Sequence, residues 1–189
     1  MLPPVVKNAL RPLYRRFFGG KRFLGEKALP ARQDVKEPRF RQLLRAHFQL
    51  ENLDETNDPT IRMWVDFALS TNERGRVVDD ELEGHISLRG KKCLDVGCAY
   101  GGFLVAFAVR GAAQVVGVDI NRDLLRFAAA NLEDYHVSAS LHQADLLDPG
   151  ILGLGRFDVI TCNDVIEHVE DPRKVIRHLS LLLDDDGVL

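Results

Sequence analysis

Lys91-Lys92-Cys93-Leu94-Asp95-Val96 runs directly into Gly97-Cys98-Ala99-Tyr100-Gly101-Gly102, and then into Phe103-Leu104-Val105-Ala106-Phe107-Ala108-Val109-Arg110. A short apolar run closed by a glycine cluster reads as a buried strand and its turn. The longer apolar stretch behind it reads as a helix. Glycine permits positive φ and lets a backbone come close to whatever lies against it, so this turn is also the first place to look for a ligand.

Downstream of this stretch, strand and helix alternate. Gln114–Asp119 is a second strand, and Arg122 to about Asp134 a helix with Asn121 as its cap. Val137–His142 alternates as a third strand, Phe157–Cys162 is a fourth, and a helical stretch follows through Leu183. This order predicts an α/β fold with a parallel, doubly wound sheet and right-handed crossovers. Such sheets bind ligands beyond the C-terminal ends of their strands. Upstream lies a helical lead-in over residues 37–90. Phe40, Leu43, Leu44, His47 and Phe48 share one helix face, and Asp58-Pro59-Thr60 starts a second helix. A third helix is expected from about Val77 to Ser87, and there are no internal repeats.

The whole chain of 189 residues, 46% hydrophobic and 28% charged with 15 Gly and 8 Pro, suits one domain with an extension and excludes collagen-like or wholly disordered chains. No apolar run approaches the ~18 residues of a membrane span. Cys93, Cys98 and Cys162 form no CxxC pair and no zinc spacing, so a reducing cytoplasm is the expected compartment. The formal charge of −3 conceals a split: residues 1–50 hold 12 Lys/Arg against three acids, and the remainder 13 against 25. Residues 1–36 therefore read as a basic arm. Within residues 1–27, seven Lys/Arg face only Glu26 beside the apolar stripe Val6, Leu10, Leu13, Tyr14 and Phe17. Such an arm suits peripheral contact with an anionic membrane or with RNA phosphates, and equally a solvated tail.

Three acids stand at three successive strand tips. Asp95 ends strand one; beside a ligand it would repel a pyrophosphate and attract an ammonium or sulfonium group, or else it braces the loop. Asp119 ends strand two, where a carboxylate can accept both ribose hydroxyls. Asp145 follows strand three, placed to accept an adenine amino group, with Leu146 against the ring. The glycine loop alone, Gly97-x-Ala99-x-x-Gly102, is a degraded dinucleotide fingerprint and leaves several adenosine ligands open.

Leu94-Asp95-Val96-Gly97-Cys98-Ala99-Tyr100-Gly101, Asp119, Ala144-Asp145-Leu146, Phe157-Asp158-Val159-Ile160 and the run from Asp164 to Pro172 together resemble the class I S-adenosylmethionine-dependent methyltransferases. The nearest subset is the one that includes the quinone-biosynthesis methyltransferases. The resemblance covers about residues 91–189. It implies a Rossmann-like domain with S-adenosyl-L-methionine as cofactor. Asp95 and the loop with Gly97, Ala99 and Gly101 would hold the methionine part, Asp119 the ribose, and Asp145 with the Leu146 amide the adenine. Ile120 would flank the base, and the Asn163 backbone would touch the methionine amino group. Ala99 stands where the family has glycine, a variant that is tolerated when φ is negative. The family's sheet has seven strands, whereas this chain stops at Asp186-Gly187-Val188-Leu189, where a fifth strand starts. That incompleteness at the C-terminus reads as a fragment with an exposed strand-four edge. It also sets a second function beside the enzyme: a truncated, non-catalytic adenosyl-cofactor-binding or interaction module.

Asp164, Glu167 and His168, at i, i+3 and i+4, are expected on one helix face near the fourth strand tip. They admit three readings. His168, with Glu167, takes a proton from a hydroxyl acceptor; the trio holds Mg²⁺ or another divalent ion beside that hydroxyl; or the residues cap and brace. Relatives with a Glu-x-x-Glu-His metal site here give the resemblance its metal-binding implication. Cys98 and Cys162 are expected to pack rather than react, and Trp64, Phe67 and Tyr100 to wall a pocket or core. No motif names the acceptor. A small molecule or a lipid-quinone is expected, with a glycan or an RNA end as further options.

Overall fold

The computed structural model describes residues 37–83 and 85–189. The basic arm expected over residues 1–36, with its membrane and RNA readings, lies outside them.

Helices α1 (Arg39–Phe48), α2 (Pro59–Leu69) and α3 (Thr71–Glu83) precede the sheet. Strand β1 (Lys92–Val96), helix α4 (Gly102–Val109), strand β2 (Gln114–Asp119), helix α5 (Arg122–Asp134) and strand β3 (Ser140–Gln143) follow. A 3₁₀ turn (Pro149–Leu154) leads to β4 (Phe157–Cys162), a second one (Ile166–His168) to α6 (Pro172–Leu182), and the chain closes with β5 (Leu183–Val188). All pairings are parallel, in the order β3-β2-β1-β4-β5. This is the doubly wound sheet expected from the alternation.

The central strands β1, β2 and β4 are buried on both faces, and alternate residues feed different cores. Leu94, Val96, Val116, Val118 and Ile160 meet Val175, Leu179 and Leu182 of α6 on one side. Cys93, Val115 and Val159 meet Leu104, Val105 and Phe107 of α4 and Leu125 and Leu132 of α5 on the other. Each fully buried Val, Leu or Phe contributes roughly 1.5–3 kcal/mol. A third cluster joins Phe40 and Leu44 of α1 and Val65 and Ala68 of α2 to Phe127 and Ala130 of α5 and to Tyr100. The lead-in is thus a layer resting on α5 and on the glycine loop itself.

The caps explain the helix starts. Asp58 accepts from Thr60 and Ile61 N–H at 2.7 and 3.2 Å, with Pro59 in the first turn. Asn121 accepts from Asp123 and Leu124 N–H at 2.9 and 3.4 Å, leaving Asp119 for other work. Asp171 accepts from Lys174 N–H at 3.0 Å, with Pro172 next in the chain.

Four expectations need correction. Helix α3 begins at Thr71, not Val77, because Gly75 does not break it. A Cβ on Gly75 would lie 2.2 Å from the Gly102 carbonyl oxygen, so the glycine is where α3 rides on α4. Strand β3 begins at Ser140, not Val137: His136 takes φ +53 and Val137 N–H bonds back to Leu132 O at 3.1 Å, spending those residues on leaving α5. The helix after β4 starts only at Pro172, since the preceding segment turns through Asp164 at φ +55 and the 3₁₀ turn. Finally, β4 is not a bare edge; β5, starting at Leu183, pairs with it, with an irregular register between Phe157 and Val159.

Candidate functional site

Parallel register aligns the strand tips on one edge: Val96 opposite Val118 and Cys162, and Asp119 opposite Gln143. The sequence-predicted residues of the loop, of Asp119 and Ile120, of Asp145 and Leu146, and Asn163 therefore share that edge.

The loop is pinned from inside. Gly97 and Cys98 N–H both donate to Val118 O, at 2.7 and 3.0 Å, and Gly101 N–H donates to Cys98 O at 2.8 Å. Gly97 has φ +71, and a Cβ there would meet Val165 Cγ2 at 2.2 Å, so conformation and space both require glycine. Ala99 corrects an expectation: its φ is +44, in the left-handed region that costs an L-residue about 1–2 kcal/mol. The strain is held by a hydrogen bond, as Ala99 N–H donates to Asp119 Oδ2 at 2.9 Å.

Asp119 also accepts from Asn121 N–H through Oδ1, at 2.8 Å. Burial raises its pKa, and the N–H donors of Asn121, Ala99 and Ile120 oppose that shift. Each carboxylate oxygen retains a further lone pair, so the group remains able to accept from a pair of hydroxyls. Ile120 beside it is 65% exposed, an apolar side chain held in the open at a strand tip. Asp145 is exposed and its Oδ1 accepts from Leu147 N–H at 2.9 Å, while Leu146 is buried. The Leu146 carbonyl accepts from His178 Nδ1 at 2.8 Å, which fixes the protonated ring nitrogen.

Asp95 lies beneath the loop, 2% exposed. Its Oδ1 accepts from Thr161 Oγ1 at 2.7 Å, and its Oδ2 is buried with no partner. Burial pushes its carboxyl up to about 7; the Thr161 bond opposes this and the Asp119 charge adds to it. An orphaned buried carboxylate oxygen beneath a turn whose Gly97 admits no side chain favours a cationic ligand, so the residues present suit S-adenosylmethionine. Burial also pushes the Cys98 thiol far up and that of Cys162 up to about 11, which leaves both unreactive.

Asp164, Glu167 and His168 are exposed but do not share a helix face. Asp164 is in the left-handed region, and Glu167 and His168 sit on a three-residue 3₁₀ turn. Among the described residues no group of three His, Cys, Asp or Glu side chains is gathered to hold a metal ion. The Asp164, Glu167 and His168 side chains expected to hold Mg²⁺ or another divalent ion are thus not gathered in this structure, because the i, i+3, i+4 geometry needed a helix that starts later.

Sequence reasoning missed Arg74. Its guanidinium lies over the Phe67 ring, 3.6 Å from the centroid, and its Nη1 is buried with no hydrogen-bond partner. Burial lowers its pKa to about 10, against the opposing charges of Asp164 and Tyr100. It thus stands between the lead-in, the glycine loop and the β4 tip. Within Asn72-Glu73-Arg74-Gly75-Arg76 nothing distinguishes it from a solvated helix charge.

The chain matches the family described as a methyltransferase domain over residues 58–189. It is 36% identical over 108 residues to the ubiquinone biosynthesis O-methyltransferase of Chromobacterium violaceum, covering 57% of this chain and 46% of that protein. With the protein of the same name from Actinobacillus pleuropneumoniae it shares 39% over 106 residues, covering 54% and 45%. The chain spans about half the length of the curated relatives it matches. In fold it is similar to magnesium protoporphyrin IX methyltransferase from Synechocystis PCC 6803, crystallised with S-adenosylmethionine, at TM-score 0.55 and 21% identity over 79% of this chain and 74% of that one. A Pyrococcus horikoshii protein aligns at TM-score 0.54 and 26% identity, covering 61% and 54%. A match over more than two thirds of the sequence, on a doubly wound sheet whose glycine loop and acidic tips suit the cofactor, places this chain in the family of S-adenosylmethionine-dependent methyltransferases.

Proposed function

We propose that the protein transfers the methyl group of S-adenosylmethionine to a hydroxyl oxygen of a small molecule, with a lipid-borne quinone-type ring as the acceptor class. The observation that carries the cofactor half is Asp119, a half-committed carboxylate that clamps the loop at Ala99 and faces the edge shared by the other strand tips. The acceptor half is supported by the names of the relatives, ubiquinone biosynthesis O-methyltransferases.

When bound, the cofactor supplies an already activated sulfonium methyl, so the protein's task is positioning. In this reading Asp119 accepts from the ribose hydroxyls, Ile120 and Leu146 flank the adenine, and Asp145 accepts from its amino group. Gly97, Ala99 and Gly101 shape the cradle for the methionine part, Asp95 favours its positive charge from beneath, and the Asn163 backbone accepts from its ammonium. Arg74 offers its unpartnered Nη1–H to the carboxylate. His168, exposed after the β4 tip with Glu167 beside it, takes the acceptor's hydroxyl proton. The division into a helical lead-in over residues 37–90 and a cofactor domain over residues 91–189 belongs to this proposal, with the lead-in covering the methyl group. So does peripheral contact of residues 1–27 with anionic lipid, which would bring the enzyme to a lipid-soluble acceptor.

Titration calorimetry with S-adenosylhomocysteine tests the reading: saturable binding is expected, weakened at least tenfold in Asp119→Ala, because the ribose hydrogen bonds and the clamp on the loop are lost together. Absence of binding, or binding of NAD in its place, sinks it. His168→Ala should lower turnover by about 10² to 10⁴ with S-adenosylhomocysteine affinity unchanged.

A further inference from the structure

Asn131, on α5, is 1% exposed in an otherwise apolar layer beside Phe127 and Ala130. Its amide is fully committed. Nδ2 donates to Asn72 Oδ1 at 2.8 Å and to the Tyr100 carbonyl at 2.9 Å, while Oδ1 accepts from Asn72 Nδ2 at 2.9 Å. One side chain thereby ties three elements together: α5, α3 and the glycine loop one residue before Gly101.

α3 also meets the start of α4 backbone on backbone, and further along Asp80 of α3 pairs with Arg110 at the end of α4. A Cβ on Gly75 would lie 2.2 Å from Gly102 O, and one on Gly102 would lie 2.0 Å from Thr71 O. Two glycine surfaces set how close the helices come, but they have no side chain to stop one sliding along the other. The reciprocal amide pair resists that slide at the loop end, as the Asp80–Arg110 ion pair does at the far end. A slip of α3 by one residue moves it about 1.5 Å along its axis, enough to break both amide bonds and leave buried polar atoms unpaired. Arg74 follows Asn72 by two residues, so the register that the pair fixes is also the register of Arg74 against the loop.

We infer that the Asn72–Asn131 pair is a positioning device for the amino-acid end of the cofactor, locking Arg74 and the Tyr100 carbonyl of the glycine loop into one geometry. This rests on the reading that the loop and Arg74 hold that end. Neither asparagine touches the ligand; both act through Arg74 and the loop.

The test compares two probes by calorimetry: S-adenosylhomocysteine, and 5′-methylthioadenosine, which keeps the adenosine and the sulfur but lacks the amino-acid end. Asn72→Ala should weaken S-adenosylhomocysteine about tenfold and leave 5′-methylthioadenosine within twofold. Arg74→Ala should do the same. The double variant should be no more than about twofold weaker than Arg74→Ala alone, since both changes remove one coupled contact. Equal losses for both probes, or fully additive losses in the double variant, overturn the inference in favour of a merely structural amide pair. If Asn72→Ala does not fold, Asn72→Gln, which displaces the amide by one methylene, should give the same probe-selective loss, and a non-selective one refutes it. Wild-type protein that binds neither probe brings down the cofactor reading and this inference with it. Wild-type protein that binds both, with Asn72→Ala indistinguishable from it, refutes the positioning role alone.

Discussion

Asp95 couples a proton to the site. Its carboxyl is pushed up to about 7 by burial, whereas an unfolded aspartate titrates near 4. Between those pH values the folded chain holds a proton that the unfolded chain has released, so stability falls as pH rises. The cost is absent below about pH 4 and complete above about pH 7. In Asp95→Asn the melting temperature should gain on wild type progressively from pH 5 to pH 8; a constant offset would refute the assignment. A cationic ligand favours the ionised form. Affinity for S-adenosylmethionine should therefore rise by up to about tenfold from pH 6 to pH 8 with proton release on binding, and Asp95→Asn should lose that dependence. Ala99 makes the opposite test. At φ +44 it is strained, so Ala99→Gly should raise stability by roughly 0.5–1 kcal/mol after glycine's own entropy cost. A drop in denaturation midpoint would show that the methyl's packing outweighs the strain.

Among the elements, the segment joining β4 to α6 determines how the site is shaped. Val165 lies against Gly97, so the β4 tip presses on the turn after β1 and holds it closed from the side opposite Asp119. Gly97→Ala imposes both a positive φ on alanine and a 2.2 Å clash with Val165 Cγ2. It should destabilise the protein by about 2 kcal/mol or more. Adding Val165→Ala removes the clash but not the strain, so about half the loss should return in chemical denaturation; full recovery or none contradicts that division. The same segment explains why the Asp164, Glu167 and His168 spacing misled. A helical period means something only where a helix exists, and here Asp171-Pro172, a strong start signal, delays it past all three residues.

Across the layers of the protein, the lead-in shares its core with the glycine loop. Phe40 of α1 meets Tyr100 of the loop and Phe127 of α5 edge-to-face, with ring centroids 5.9 and 6.3 Å apart, and is 6% exposed. Asp134 at the end of α5 accepts from Arg39 and Phe40 N–H, both at 2.8 Å, and so seats the start of α1. Phe40→Ala should cost about 3 kcal/mol of stability. It should also weaken S-adenosylhomocysteine, because the loop loses the ring that backs Tyr100. Unchanged affinity in a destabilised variant would show that the lead-in and the loop are energetically separate.

The sheet, its parallel sense and the gathering of the candidate site residues on one edge follow from features local in the chain: short apolar runs, a glycine turn, caps such as Asp58-Pro59 and Asn121, and acids at the ends of runs. Strand burial and turn conformation are set largely by the residues themselves, so the order of residues is enough to put Asp95, Asp119 and Asp145 at strand tips. Contacts between distant segments leave no such local trace. Gly75 carries no local sign that Gly102 will lie against it, and Ala99 reads as harmless until its N–H is drawn onto Asp119 and its φ turns positive. Nothing around Arg74 in the chain shows that its guanidinium will be buried over Phe67, and Asn72 and Asn131, 59 residues apart, carry no pattern that pairs them. Periodicity, caps and turn chemistry are written in neighbouring residues. Burial, close approach and the pairing of polar groups depend on which distant atoms arrive, and folding in three dimensions alone brings those atoms together.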